Sequence, residues 1–326
     1  MGELLNIKMD VSGKLDIINK RIEEVIQTDN SQLTEMSFYT LMSGGKRLRP
    51  LIVLLVYELI TDENIEKVLD LAVAYEIMHS ASLIHDDIID EADERRGVPS
   101  LHTKYNVSDA IVTGDFLFSV AYRLGATYGT EVSEIVAKAA RKLSEGQIME
   151  SRNLGNLQMN ENEYFQIIGN KTAYFFGAGA KSAAYVATKN KEMQENMFRF
   201  AYNVGMAFQI TDDILDIIGK EENIGKRPFT DFKHSAITLP MIYAIKRGKT
   251  EDVTNLKHVI RGERTDLESI ERAKQFLVDC GAVDYSIGLA KNYIDDAIKA
   301  MKSAKRTPDL ETLLQIAYSV VSRIRI

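Results

Sequence analysis

Five prolines punctuate the whole chain: Pro50, Pro99, Pro228, Pro240 and Pro308. Between them apolar residues recur every three or four positions, as in Leu69, Val73, Ile77 and Ile84, with Ser80 on the same stripe. That spacing lays one apolar face along an α-helix, whereas a half-buried strand needs alternation at every second residue. Met, Leu, Ala, Glu and Lys are helix-favouring, Trp is absent, and no convincing run of alternating strands occurs. The chain is expected to be all-α. Breaks are expected at Ser43-Gly44-Gly45, Arg96-Gly97-Val98-Pro99, Asn153 to Asn160, Gly219 to Thr230 and Lys246-Arg247-Gly248-Lys249.

One acidic pattern occurs twice, once in each half: Asp86-Asp87-Ile88-Ile89-Asp90 and Asp212-Asp213-Ile214-Leu215-Asp216. The first and last Asp of each pentad share a helix face. Like charges at that spacing cost a bare helix a few tenths of a kcal/mol. A hard divalent cation offsets that cost, and the matching substrate is one whose phosphates need Mg²⁺. A length of 326 residues suggests about two domains as a prior. No linker or low-complexity segment separates two halves, however, and two pentads serving one site require one domain. Residues 1–326 are therefore read as a single-domain helical bundle whose ligands project into a central active-site cavity.

A formal net charge of −7 argues against a general nucleic-acid binder, which needs a basic face. The lone cysteine, Cys280, excludes an intramolecular disulfide and a Cys-based zinc cluster, and it fits a reducing cytoplasmic setting as inert core. Met1 to Asp10 shows no signal-peptide core, and the longest apolar stretch, Leu51 to Ile60, is too short to span a bilayer. Contact with a membrane surface stays open.

Basic residues accompany the pentads. Gly44-Gly45-Lys46-Arg47-Leu48-Arg49-Pro50 reads as a helix end, three cations and a proline suited to the next first turn, a favourable anion site. His79 lies two helical turns before Asp86, and Arg95-Arg96 follows the first pentad as a possible bidentate phosphate clamp. Lys171-Thr172 follows Gly169-Asn170, Gln209 precedes Asp212 by about one turn, and Gly225-Lys226 follows the second pentad. Alone, each has an ordinary structural explanation: a solvated acidic face, a basic turn, a core histidine. Two pentads with matched basic motifs outweigh those explanations.

Taken in order, GGKRLRP, HxxxLIHDDIID, ERRG, KT, QxxDDILD and GK resemble a trans-polyprenyl diphosphate synthase, over Gly44 to Pro240. The resemblance implies head-to-tail condensation of isopentenyl diphosphate with an allylic diphosphate. It implies that Asp86 and Asp90 bind two Mg²⁺ and Asp212 a third, with Asp87, Asp213 and Asp216 in support and His85 orienting a carboxylate. Arg95, Lys171 and Lys226 would neutralise the allylic diphosphate; Lys46, Arg49, His79 and Arg96 would hold isopentenyl diphosphate. Thr172 and Gln209 would flank the developing allylic cation, and the released diphosphate would take the proton. A homodimer is implied as well. One departure stands out: Ala236 occupies a place where the family often has lysine, and Lys233 is the nearby substitute.

Ala81 and Ser82, one turn before Asp86, are small where short-chain members of the family carry aromatics. A deep tunnel is expected, with its floor on a helix from about Val132 to Ser144. At about one helical turn per isoprene unit the product would be about C30 to C40, with geranylgeranyl diphosphate as the alternative. A class I terpene cyclase would lack the second diphosphate site, and a non-catalytic subunit would have lost aspartates. The basic end, Ser322-Arg323-Ile324-Arg325-Ile326, either folds over the site or frays.

Overall fold

The computed structural model describes residues 11–219, 232, 234–247 and 250–324. In order come α1 (Val11–Val25), α2 (Ser31–Met42), α3 (Leu48–Ile60) and α4 (Glu66–Ile89). A short hairpin, β1 (Glu94–Arg95) and β2 (Val98–Pro99), leads to α5 (Leu101–Lys104), α6 (Val107–Ala126), α7 (Thr130–Arg152) and α8 (Glu161–Ile168). A single π-helical turn, Gly169–Ala173, joins α8 to α9 (Tyr174–Ala187), which is followed by α10 (Lys191–Ile218). The remainder is α11 (Leu239–Ile245), α12 (Glu251–Ile260), α13 (Leu267–Asp279), α14 (Ala282–Ala300) and α15 (Pro308–Ser322).

Side-chain oxygens start many of these helices. Asn30, Asn106, Asn160, Asn190, Thr250, Asp266 and Thr307 each accept a backbone N–H from the first turn they precede. Such a cap contributes about 1 kcal/mol. Asn160 and Glu163 make a reciprocal capping box.

The helices are sorted by burial. Leu51 to Tyr57 of α3 and Leu71 to Met78 of α4 are buried on every side, so these two helices run through the interior. One apolar core unites α1 to α4 with α6, α7, α9 and the first half of α10. A second core gathers α8, the last turns of α10, α11, α12, α13 and the start of α14. The helix α10 crosses from one to the other: Phe200 and Val204 belong to the first, Ile210, Ile214 and Ile217 to the second. The second pentad thus sits at the edge of the second core, while the first pentad ends a helix of the first.

The all-α expectation holds, and the short hairpin falls at the expected break Arg96-Gly97-Val98-Pro99. Glu94 pairs with Pro99 and Arg95 with Val98, antiparallel. Arg96 and Gly97 have φ of 55° and 78°, the pair of positive angles that a tight hairpin turn needs. Two residues per strand leave no alternation to read. Among the described residues no helix is long and apolar enough to cross a membrane.

Candidate active site

The first pentad closes α4. Asp90 is its C-cap, and Asp86 and Asp90 stand half-buried one turn apart. Asp87 turns inward, where it is buried and accepts Arg95 Nε at 2.8 Å and Arg95 Nη2. Burial pushes the Asp86 carboxyl up to about 6, against the pull of Lys171 and with the push of Glu150 and Asp90. Lys171 is pulled down by burial, but Glu150 and Asp86 outweigh it and hold the ammonium above its ordinary value. Its Nζ pairs with Glu150 Oε2.

The loop before α3 splits its three cations. Arg47, with φ of 48°, turns its side chain into the fold, donating to Glu76 Oε1 at 2.7 Å, Asn19 Oδ1 at 3.1 Å and the Leu41 carbonyl. This buried pair is structural, and removing one partner would cost about 3–5 kcal/mol. Lys46 stays exposed and Arg49 half-buried, apart from that pair. Arg49 lies over the Phe176 ring at 4.5 Å, and its Nε is buried without a hydrogen-bond partner. Burial brings its guanidinium down to about 10. Arg96 donates to the Gly44 carbonyl and covers Gly45 so closely that a Cβ there would meet Arg96 Nη1 at 2.9 Å. The hairpin is thereby fastened to the basic loop. His79 is held well below its ordinary pKa by burial and then by Arg49, Arg96 and Arg95.

The second pentad is held from two sides. Asp213 is buried; its Oδ2 accepts Tyr164 Oη at 2.5 Å and its Oδ1 accepts Gln209 Nε2 at 2.9 Å. Thr172 Oγ1 bonds Gln209 Oε1 at 2.9 Å. Asp216 is buried. Asp212 is half-buried and takes Arg323 Nη2 at 2.5 Å, while the guanidinium lies over Phe208 at 5.1 Å. Phe208 in turn packs on Phe176, so two arginines flank one aromatic pair. The basic end therefore lies over the site at Arg323, and its Nη1 is buried without a hydrogen-bond partner.

Of the sequence-predicted residues, Arg49, Arg96 and Arg95 act on the charge of His79, and Asp86 and Asp90 on that of Lys171. Asp212 acts on both Lys46 and Arg49, and Thr172 is joined through Gln209 to Asp213. Lys226 and Lys233 lie outside the described residues. Ala236 is half-buried in the loop before α11. Ala81 and Ser82 are buried directly behind Asp86. His85 approaches Asp115 at 3.8 Å and the Ile111 carbonyl at 3.3 Å, so it faces α6. Cys280 is half-buried at the margin of the second core. Sequence reasoning missed Glu150 and Tyr164, each a single residue far from its partner, with no spacing signal. Arg323 had one, a basic pair near the chain's end.

The donors suit a hard cation, since the available ligands are carboxylate oxygens. Among the described residues no three His, Cys, Asp or Glu side chains close a cage around one point. Mg²⁺ characteristically takes one or two carboxylates and completes its shell with water and substrate phosphates. Half-buried Asp86, Asp90 and Asp212, with orphaned donors on Arg49 and Arg323, fit an ion that arrives together with a diphosphate.

The polyprenyl synthetase family model matches residues 30–277. The chain is 32% identical to the geranylgeranyl diphosphate synthase of Methanosarcina mazei over 98% of this chain and 99% of that one. It is 28% identical to the octaprenyl diphosphate synthase of Escherichia coli, over 94% and 95%. The crystal structure of a polyprenyl synthase from Caulobacter crescentus, complexed with calcium and isoprenyl diphosphate, superposes with a TM-score of 0.92 at 29% identity, covering 98% of each chain. Motif order, the helical frame and these matches agree: the chain belongs to the polyprenyl synthetase family of prenyltransferases.

Proposed function

We propose that this protein is a Mg²⁺-dependent trans-polyprenyl diphosphate synthase acting on isopentenyl diphosphate and an allylic diphosphate. One set of observations carries the reading: Asp86 and Asp90 act on the charge of Lys171, Asp212 acts on Lys46 and Arg49, and Arg49 Nε and Arg323 Nη1 are buried with no hydrogen-bond partner. Asp86 and Asp90 would hold two ions and Asp212 a third. Bound Mg²⁺ supplies positive charge against the leaving diphosphate. Arg95 and Lys171 add cations there, Lys226, outside the described residues, is assigned the same role by the resemblance, and Lys46, Arg49, His79 and Arg96 hold the second substrate. Holding the isopentenyl double bond beside the allylic carbon makes the encounter local. The oxygens of Thr172 and Gln209 face the developing cation and stabilise it electrostatically. His79, kept neutral by its surroundings, serves as a hydrogen-bonding residue rather than a charge.

Residues 1–326 are proposed to work as one domain, in the cytoplasm and as a homodimer. Val107, Ile111, Val112 and Tyr122 stand exposed on α6, an apolar face of the kind a second copy covers. Light scattering at about twice the monomer mass is the expected result.

The tail of the product is proposed to run from Ala81 and Ser82 toward α7, whose Val132, Val136 and Ala139 form a buried stripe. At about one turn per isoprene unit the product is about C30 to C40. Incubating the enzyme with farnesyl diphosphate, radiolabelled isopentenyl diphosphate and Mg²⁺ measures this directly. Extension by several units is expected; a single addition would favour geranylgeranyl diphosphate, and no addition would sink the reading. Ala81→Phe should shorten the product, and an unchanged length would place the tail elsewhere.

A further inference from the structure

The hydrogen bonds around the second pentad run in one direction. Asp213 accepts at both of its oxygens, and the NH₂ of Gln209 can only donate. Tyr164 Oη donates to Oδ2 at 2.5 Å, and Gln209 Nε2 donates to Oδ1 at 2.9 Å. With its NH₂ committed to the carboxylate, Gln209 turns Oε1 toward Thr172, 2.9 Å away. A carbonyl oxygen only accepts, so the Thr172 hydroxyl must donate to it. The hydrogen of Thr172 is thereby drawn to Gln209, and the lone pairs of its oxygen are left for other neighbours.

The backbone beneath Thr172 is fixed as well. Thr172 sits in the π-helical turn Gly169–Ala173, and two glycines of neighbouring helices hold that turn. A Cβ on Gly146 of α7 would lie 2.4 Å from Lys171 N, and one on Gly205 of α10 would lie 2.7 Å from Ala173 Cα. Only glycine allows either approach, so the turn cannot slide between the helices. Tyr164 and Thr172 are both buried, and water is kept from competing for these bonds.

We infer that Tyr164 is a positioning residue: through Asp213 and Gln209 it sets the direction of the Thr172 hydroxyl, turning an oxygen lone pair toward the allylic carbon as positive charge develops. An O–H pointing the other way would present its positive end to the same charge. The inference rests on the reaction proposed above. Tyr164 touches neither substrate, and its effect belongs to the ionisation step rather than to binding.

The test is Tyr164→Phe, which removes one oxygen and keeps the ring packed. In the variant kcat should fall about 10-fold or more, while KM for isopentenyl diphosphate stays within about twofold. Binding of Mn²⁺ with inorganic pyrophosphate should also stay within about twofold. Solvent exchange of the Gln209 side-chain amide, followed by NMR, should quicken about 10-fold or more as the amide loses its fixed orientation. Unchanged kcat, unchanged amide exchange, or an equal loss of kcat and pyrophosphate binding would each overturn the inference. The amide-exchange arm needs no turnover. A wild-type protein that fails to join the two diphosphates would therefore refute the proposed reaction, while the exchange result still decides the role of Tyr164. Gly146→Ala offers an independent variant: it should lower kcat by displacing the π turn, with Tyr164 and Asp213 untouched. Normal kcat there would refute the clamp.

Discussion

The two pentads share one pattern and receive opposite treatment. The first ends α4, with Asp90 as its cap, and its inward member Asp87 is held by Arg95 from the adjoining hairpin. The second lies inside α10 with residues to spare before the helix ends, and its inward member Asp213 is held by Tyr164 from a distant helix and by Gln209 one turn away. Asp216 is buried, whereas its counterpart Asp90 stays half-buried. The same five-residue pattern thus leaves two carboxylates half-buried in the first copy, Asp86 and Asp90, and one in the second, Asp212. Local sequence sets the spacing, and the neighbouring elements decide how many members are buried.

Substitutions can break or sharpen that contrast. Asp86→Asn should have the largest effect, lowering kcat about 1,000-fold or more, with stability unchanged or raised because its half-buried surroundings disfavour the charged carboxylate. Steady-state kinetics beside thermal melting checks it, and retained turnover would dissolve the assignment of the first pentad. Asp212→Asn should lower kcat less, about 100-fold, because its pentad leaves one carboxylate half-buried. Losses of equal size in the two variants would erase the asymmetry.

Asp87→Ala probes support rather than contact. It strands Arg95 and should cost about 1–3 kcal/mol in denaturant unfolding, since a buried bonding partner is lost. A neutral result would show that the hairpin does not depend on this carboxylate. The smallest effect is a pH effect peculiar to the first pentad, whose helix carries His79 while α10 has no histidine. His79 is neutral in the fold because burial and the nearby arginines lower its pKa. The unfolded chain takes up that proton near pH ~6.5, so stability should decline as pH falls below this value, by at most about 1.4 kcal/mol per pH unit. His79→Asn should flatten that slope; an unaltered slope would assign it to other groups.

Much of this was legible in the chain. Sparse proline and three- and four-residue spacing specify helices because period and continuity are local properties. The hairpin was not legible, since two residues per strand carry no period, although Arg96-Gly97 marks its turn. Lys46, Arg47 and Arg49 look equivalent in sequence; the left-handed backbone at Arg47 is what turns one of them inward. Glu150 and Tyr164 act across α7 and α8 on partners elsewhere in the chain, and a lone acidic or phenolic side chain has no spacing to betray it. Arg323 was balanced between folding over and fraying, and its pairing with Asp212 decides the matter.

The π turn at Gly169–Ala173 has a consequence for how such a chain can change by descent. A π turn holds one residue more than an α turn, so it behaves as a single inserted codon. Deleting Asn170 would let α8 run smoothly into α9 and give a more regular helix. It would also rotate everything before the deletion by about 100° against everything after it. Tyr164 and Thr172 could then no longer serve the same pentad. On the reaction proposed, a one-codon loss that makes the helix more regular would disarm the chemistry, so foldability and function would pull in opposite directions at this turn.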